Sequence, residues 1–138
     1  MHLRVFLDAN ILFSAAKSQG AVRELLRRLD EAGHVLCADA YVAEEARRNL
    51  SLKGPEALAA LGRLIATIEV APYRPGGLPA RIATLVHEKD RPVVAAAVRL
   101  RCQVLVTGDR THFGSLYGEK LLGVVVHSPR SLTEWLRL

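Results

Sequence analysis

Leu3–Leu7 is an apolar run interrupted only by Arg4; it is too short for a helix and leads into polar residues, so it predicts a strand. Between Ala21 and Leu29, apolar Val22, Leu25, Leu26 and Leu29 recur at helical spacing, with Arg23, Glu24, Arg27 and Arg28 filling the other face. Gly33 supplies the stop signal for that helix. His34–Cys37 predicts a second strand, and Asp39 an N-cap for a helix over Ala40–Leu50. Gly54-Pro55 punctuates, and Pro55 suits the first turn of a helix reaching Ala66. Thr67–Val70 reads as a third strand, followed by a loop carrying Pro72, Pro75, Gly76, Gly77 and Pro79 and a short helix over Ala80–His87. Asp90 then caps a helix over Arg91–Arg101, with Pro92 in its tolerant first turn. Gln103–Val106 and Gly123–Val126 are the fourth and fifth strands. A final helix starts either at the capping-box spacing Ser131–Glu134 or earlier, at Ser128-Pro129.

Strands alternating with helices imply an α/β fold: one three-layer α/β/α domain over residues 1–138, with a central parallel sheet. No internal repeat or second domain is evident. In such a sheet, ligands collect at the carboxyl ends of the strands, where the strand order reverses. Asp8 directly follows the first strand, and Asp109 lies three residues beyond the fourth. Asp90 opens the helix leading into that fourth strand; that helix runs antiparallel to the strand, so its start lies at the same edge. Glu45 is in the second turn of the helix after strand two. The topology therefore gathers Asp8, Glu45, Asp90 and Asp109. Helical phase separates Glu45 from Glu44. Glu45 shares a face with Val42 and Asn49, whereas Glu44 precedes Arg47 and Arg48 on a solvated, ion-pairing face.

Each acid also has an ordinary structural explanation. Asp90 serves equally as an N-cap, Asp109 as a turn residue, and Glu45 as a helix-surface acid. Asp8 resists such a reading, because an acid directly after a core strand faces a partly buried crevice. Together the carboxylates would repel one another unless a cation sat among them. With no His or Cys inside the cluster, hard oxygen-seeking Mg²⁺ or Mn²⁺ suits it better than Zn²⁺. His112, close to Asp109 in sequence, reads as a surface or phosphate-contacting residue.

Charge adds the next piece. The chain has 19 Lys+Arg against 14 Asp+Glu, a net charge of +5. An acidic pocket on a basic, Arg-rich protein suits a metal enzyme acting on a polyanion. No apolar run approaches a membrane span or a secretory signal, so a soluble cytoplasmic protein with no membrane partner is expected. Cys37 and Cys102 are placed at opposite edges of the sheet, too far apart for a disulfide.

The stretch Val5-Phe6-Leu7-Asp8-Ala9-Asn10-Ile11-Leu12 resembles the opening motif of PIN-domain nucleases. Glu45-Ala46-Arg47-Arg48-Asn49-Leu50, Asp90-Arg91-Pro92-Val93-Val94-Ala95-Ala96-Ala97 and Val104-Leu105-Val106-Thr107-Gly108-Asp109 resemble the family's second, third and fourth acidic motifs. Val125–Leu132 is similar to the closing strand and helix. The resemblance implies strand order 3-2-1-4-5 and metal-dependent RNA cleavage. In it, Asp8, Glu45, Asp90 and Asp109 are catalytic metal ligands, and Asn10 and Thr107 are auxiliary. Ala9 departs from the Thr often found there, which removes one hydroxyl. Many small members are toxin halves of VapC-type toxin–antitoxin pairs, so the implied partners are RNA and a small antitoxin protein, with homo-oligomer formation left open. Arg91 and Arg110 flank the acids and are candidate phosphate clamps.

Other enzyme classes fit less well. An aspartyl-nucleophile phosphatase wants a second acid two residues after Asp8, where Asn10 stands; a phospho-accepting receiver wants adjacent acids and a late Lys. The remaining rival is a catalytically weak PIN-like module that binds RNA or a protein.

Overall fold

A computed structural model describes residues 1–138. Six strands form one sheet: β1 (Arg4–Leu7), β2 (Val35–Asp39), β3 (Glu69–Ala71), β4 (Val104–Val106), β5 (Lys120–Leu121) and β6 (Val124–His127). Their order is β3-β2-β1-β4-β6-β5, parallel throughout except for the β5–β6 pair. The five expected strands thus stand in the expected 3-2-1-4-5 sequence, with one short antiparallel strand added at the edge. That strand is the near arm of a hairpin. Its two loop residues, Leu122 and Gly123, both have positive φ (50° and 87°), the backbone of a tight turn that follows strand twist.

The helices are α1 (Ala9–Lys17), α2 (Ala21–Glu31), α3 (Ala40–Lys53), α4 (Leu58–Ile65), α5 (Ala80–Ala83), α6 (Arg91–Arg99), α7 (Arg110–Phe113) and α8 (Pro129–Leu136). By the right-handed rule for crossovers between parallel strands, this order places α1–α4 on one face of the sheet and the helices on the β3-to-β4 path on the other. Consistent with this, α1 packs against α2, α3 and α4. Two helices were not anticipated. α1 begins immediately after β1 and buries Ala9, Ile11, Leu12, Ala15 and Ala16. α7 is a single turn capped by Asp109. The helix expected over Ala80–His87 stops at Ala83, and the final helix takes the earlier of the two starts, with Ser128 and Ser131 closing the capping box.

The core runs along both faces of the sheet. Val5, Phe6, Leu7, Val104, Leu105 and Val106 are fully buried, and Leu12, Leu29, Leu50 and Leu132 cover them from the helices. Arg4, the polar break in the first strand, is tied down by its Nε–H to the Leu100 carbonyl (2.9 Å) and by an ion pair with Glu69. Cys37, in β2, and Cys102, just before β4, are not kept apart by lying towards opposite strand ends as expected: both are free and buried, and their thiols interact. No helix is long and apolar enough to cross a membrane.

Candidate active site

The strand order reverses between β1 and β4, and there the two chains leave the sheet side by side. Leu7 pairs with Val106, the Asp8 N–H donates to the Val106 carbonyl (3.1 Å), and Thr107 N–H donates to the His127 carbonyl (3.0 Å). Asp8 and the segment Thr107-Gly108-Asp109 therefore emerge at one point. A cleft of about 470 Å³ opens above it, lined by Asp8, Glu45, Asp90 and Asp109 together with Asn10 and Asn49. The acids anticipated from topology meet in one cavity although they come from four separate elements.

Asp8 sits deepest and is 4 % exposed. One carboxylate oxygen accepts the Ala9 N–H (2.8 Å), which caps α1; the other accepts the Thr107 hydroxyl (2.8 Å) and the Asn10 side-chain amide (3.2 Å). Burial nevertheless wins, pushing its carboxyl up to about 6, with Asp90 and Glu45 adding repulsion. Thr107 is itself fully buried. Besides donating to Asp8, its hydroxyl accepts from Asn10 and from the Asp109 N–H, both at 3.2 Å. Asn10 in turn accepts the Gly108 N–H (2.8 Å). Here Thr107 and Asn10 fasten Asp8 to the start of the Asp109 loop, so both act by positioning.

Glu45 lies on the inner side of α3 and faces the cleft, while Glu44 is exposed and ion-paired to Arg47. The two adjacent glutamates therefore face different ways, as their helical phase predicts. Asp90 occupies the N-cap position of α6 but makes no capping hydrogen bond. Its carboxylate turns instead to His112, whose Nδ1 lies 2.6 Å from Asp90 Oδ2 and 3.1 Å from Asp109 Oδ2. Burial raises the Asp90 carboxyl and the nearby imidazole pulls it down. Asp109 caps α7 through the His112 N–H (3.1 Å).

His112 is thus no free surface residue. It is partly buried between two of the acids, and the ring of His87 stacks on it at 3.8 Å, 5° from parallel. The one visible signal in the sequence was its place three residues after Asp109, which on a helical turn brings side chain and cap together. His87 had no comparable signal, since nothing local links it to position 112. Of the two candidate arginines, Arg110 is exposed at the first position of α7. Arg91 spends its Nε–H on the carbonyls of Ala83 (2.9 Å) and Val86 (3.2 Å), bracing the segment before α6.

A family model described as PIN domain matches residues 4–111, a span that contains all four cleft acids. The chain belongs to the PIN-domain family. Solved structures agree on the fold of this PIN domain. VapBC2 from Rickettsia felis, bound to a DNA fragment from their promoter, superposes with a TM-score of 0.65 at 13% identity, covering 91% of this chain and 98% of its own. VapC20 from Mycobacterium tuberculosis, a toxin that cleaves the sarcin–ricin loop, gives 0.55 at 16% identity, covering 80% and 94%. No curated protein matches this PIN domain at a significant level.

The cluster expected to lack histidine holds one, since His112 folds back from α7 onto Asp90 and Asp109, but oxygen still dominates the donor set and fits a hard divalent cation. Four carboxylates share one cavity, Asp8 is charge-strained by burial, and Asp90 Oδ2 is buried with no aligned hydrogen bond. Asp8, Asp90 and Asp109 would hold such an ion, with Glu45 across the cleft as a fourth ligand or a water-orienting group.

Proposed function

We propose that this PIN domain is a Mg²⁺- or Mn²⁺-dependent ribonuclease of the VapC type, acting in the cytoplasm and restrained by a small antitoxin protein. The observation that carries the reading is the convergence of Asp8, Glu45, Asp90 and Asp109 on one cleft of a chain with net charge +5. The toxins among its structural neighbours support the RNA and antitoxin parts.

Hydrolysis adds a water oxygen to phosphorus and breaks the P–O3′ bond, leaving a 5′-phosphate and a 3′-hydroxyl. When bound, the divalent ion acidifies water and neutralises charge on the phosphate. Asp8 enters this chemistry already oriented, since Ala9, Asn10 and Thr107 fix both of its oxygens. Glu45 orients the attacking water and receives its proton. Arg110, exposed beside Asp109, contacts a neighbouring phosphate.

The test is cleavage of end-labelled RNA by the purified chain with Mn²⁺, with Mg²⁺ and with excess chelator, alongside Asp109→Asn. Metal-dependent cleavage that the substitution abolishes is expected. Full activity in chelator, or in Asp109→Asn, would overturn the metal mechanism. Failure of the wild type to cut diverse RNA with either metal would leave the weak-binding-module reading in its place. Co-expression with an adjacent small open reading frame examines the antitoxin. Two chains that do not associate, or a complex that cuts as fast as the free protein, would remove that part.

A further inference from the structure

Beside the carboxylate cleft is a group of different chemistry. His87, Asp90 and His112 can each present one ligand atom with all three within 4.8 Å of one another. Two of these atoms are in an unusual state. His112 Nδ1 and Asp90 Oδ2 lie 2.6 Å apart, yet both are buried and neither has an aligned hydrogen bond. So short a contact between a ring nitrogen and a carboxylate oxygen that is poorly angled for a hydrogen bond can be bridged by a cation.

We propose that His87, Asp90 and His112 form a second cation site, selective for a borderline transition ion of the Zn²⁺ class, which shuts down the cleft by taking Asp90 from it. Nitrogen donors set the selectivity. Mg²⁺ seeks oxygen ligands, whereas imidazole together with carboxylate suits Zn²⁺ and its neighbours. Zinc bonds of about 2.0–2.2 Å place ligand atoms roughly 3.3 Å apart in a tetrahedron. His112 Nδ1 and Asp90 Oδ2, at 2.6 Å, are closer than that and part slightly to admit an ion. His87 Nδ1 is 4.0 Å from Asp90 Oδ2 and must move in.

That movement is available. An ion bound by imidazole lies close to the ring plane, so two parallel rings 3.8 Å apart cannot share one. The stack is therefore the ion-free arrangement, and binding splays it. His87 is free to swing, with a side chain 44 % exposed, at the start of a one-turn 3-10 segment (Glu88–Asp90). Its Nδ1 lone pair accepts the Lys89 N–H at 3.2 Å, a long capping bond that an ion would displace. The competing explanation is that His112 is merely a counter-cation for Asp90 and Asp109, with His87 packed on it. In that case His87 has no part in metal binding.

Zn²⁺ binding is independent of the nuclease reading; only the inhibition rests on it. Metal-stripped protein is titrated with Zn²⁺ alone by calorimetry, and with Co²⁺ alone by visible absorption, for the wild type, His87→Ala and His112→Gln. Melting temperatures in chelator confirm that all three fold. One strongly bound Zn²⁺ per chain is expected, with Co²⁺ bands that report nitrogen ligation, and at least a tenfold weaker affinity in either variant. In RNA cleavage supported by Mg²⁺, Zn²⁺ should inhibit the wild type and be at least tenfold less potent against His87→Ala, whose uninhibited rate stays unchanged. Unaltered Zn²⁺ affinity in His87→Ala, or no Zn²⁺ binding by the wild type, overturns the site. Zn²⁺ binding with the expected losses but no inhibition overturns the regulatory role. A chain that binds Zn²⁺ as expected but never cuts RNA keeps the site and refutes the nuclease reading.

Discussion

Replacing Asp8 with Asn should make the metal-free protein more stable at neutral pH, an unusual outcome for a change at a buried, hydrogen-bonded residue. The Asp8 carboxyl is raised from an ordinary 3.8 to about 6, chiefly by burial. A carboxyl raised by folding favours the native state while protonated, so its contribution is full below pH 3.8 and is lost as pH climbs through 6. At pH 7.5 the charged, buried form costs about 3 kcal/mol relative to an acid in water. Asn removes that cost but offers one acceptor where the carboxylate offered two. The Ala9 N–H keeps its partner, while Thr107 and Asn10, both donating to the other oxygen, must turn away, a loss of about 1–2 kcal/mol. A net gain of about 1–2 kcal/mol remains at pH 7.5. At pH 4.5 the native carboxyl is mostly protonated but the unfolded one is not, so only about 1 kcal/mol of that cost is present. The lost hydrogen bonds match or outweigh it, and the variant should be no more stable than the wild type. Urea unfolding in chelator at both pH values measures this shift. Added Mn²⁺ should then reverse the neutral-pH order, because only the wild type gains from binding. A variant destabilised equally at pH 4.5 and 7.5 would refute the reasoning, since it would show that no buried charge was being relieved.

Glu45→Gln should lower RNA turnover at least 100-fold and Glu44→Gln less than twofold, because only Glu45 faces the cleft; steady-state rates decide this, and equal losses would contradict it. Thr107→Val keeps the buried shape but removes the hydroxyl that fixes Asp8, so Mn²⁺ affinity measured by calorimetry should fall about tenfold or more. At the β5–β6 turn, Leu122 holds a left-handed φ of 50° and is 39 % exposed, so Leu122→Asn should stabilise the fold by about 1 kcal/mol in urea unfolding.

The central strands could be read from apolar runs, because β1 and β4 are buried on both faces and leave a continuous hydrophobic signature, while their order came only with the family resemblance. The helical face of Glu45 was legible for a similar reason, since an exposed Glu44–Arg47 pair marks the opposite side. What escaped was local structure built around the site itself. The buried stripe of α1 is short, with alanine at Ala15 and Ala16, and its cap is the candidate catalytic acid, so its helical signal is weak. α7 is one turn, too short for periodicity to register. β5 has two residues and exists only through its pairing with β6. Asp90 sits where a capping acid belongs, and only the three-dimensional structure shows its side chain ignoring the helix for His112. The histidine pair was invisible because its rings meet from positions 87 and 112 with no shared element.

The dispersal of the carboxylates along the chain also has a meaning in time. A protein is made from its amino end, and the lone acid present when β1 emerges has no companions. Glu45 follows soon after, but Asp109 is placed only when β4 inserts beside β1, and the outer edge of β4 is itself closed by β6, whose His127 carbonyl receives the Thr107 N–H. On the ribonuclease reading proposed above, a cleft completed early would endanger the ribosome making it, which is largely RNA. Thr107 takes its backbone partner from β6, so on that reading the fastened cleft comes only when that strand is in place.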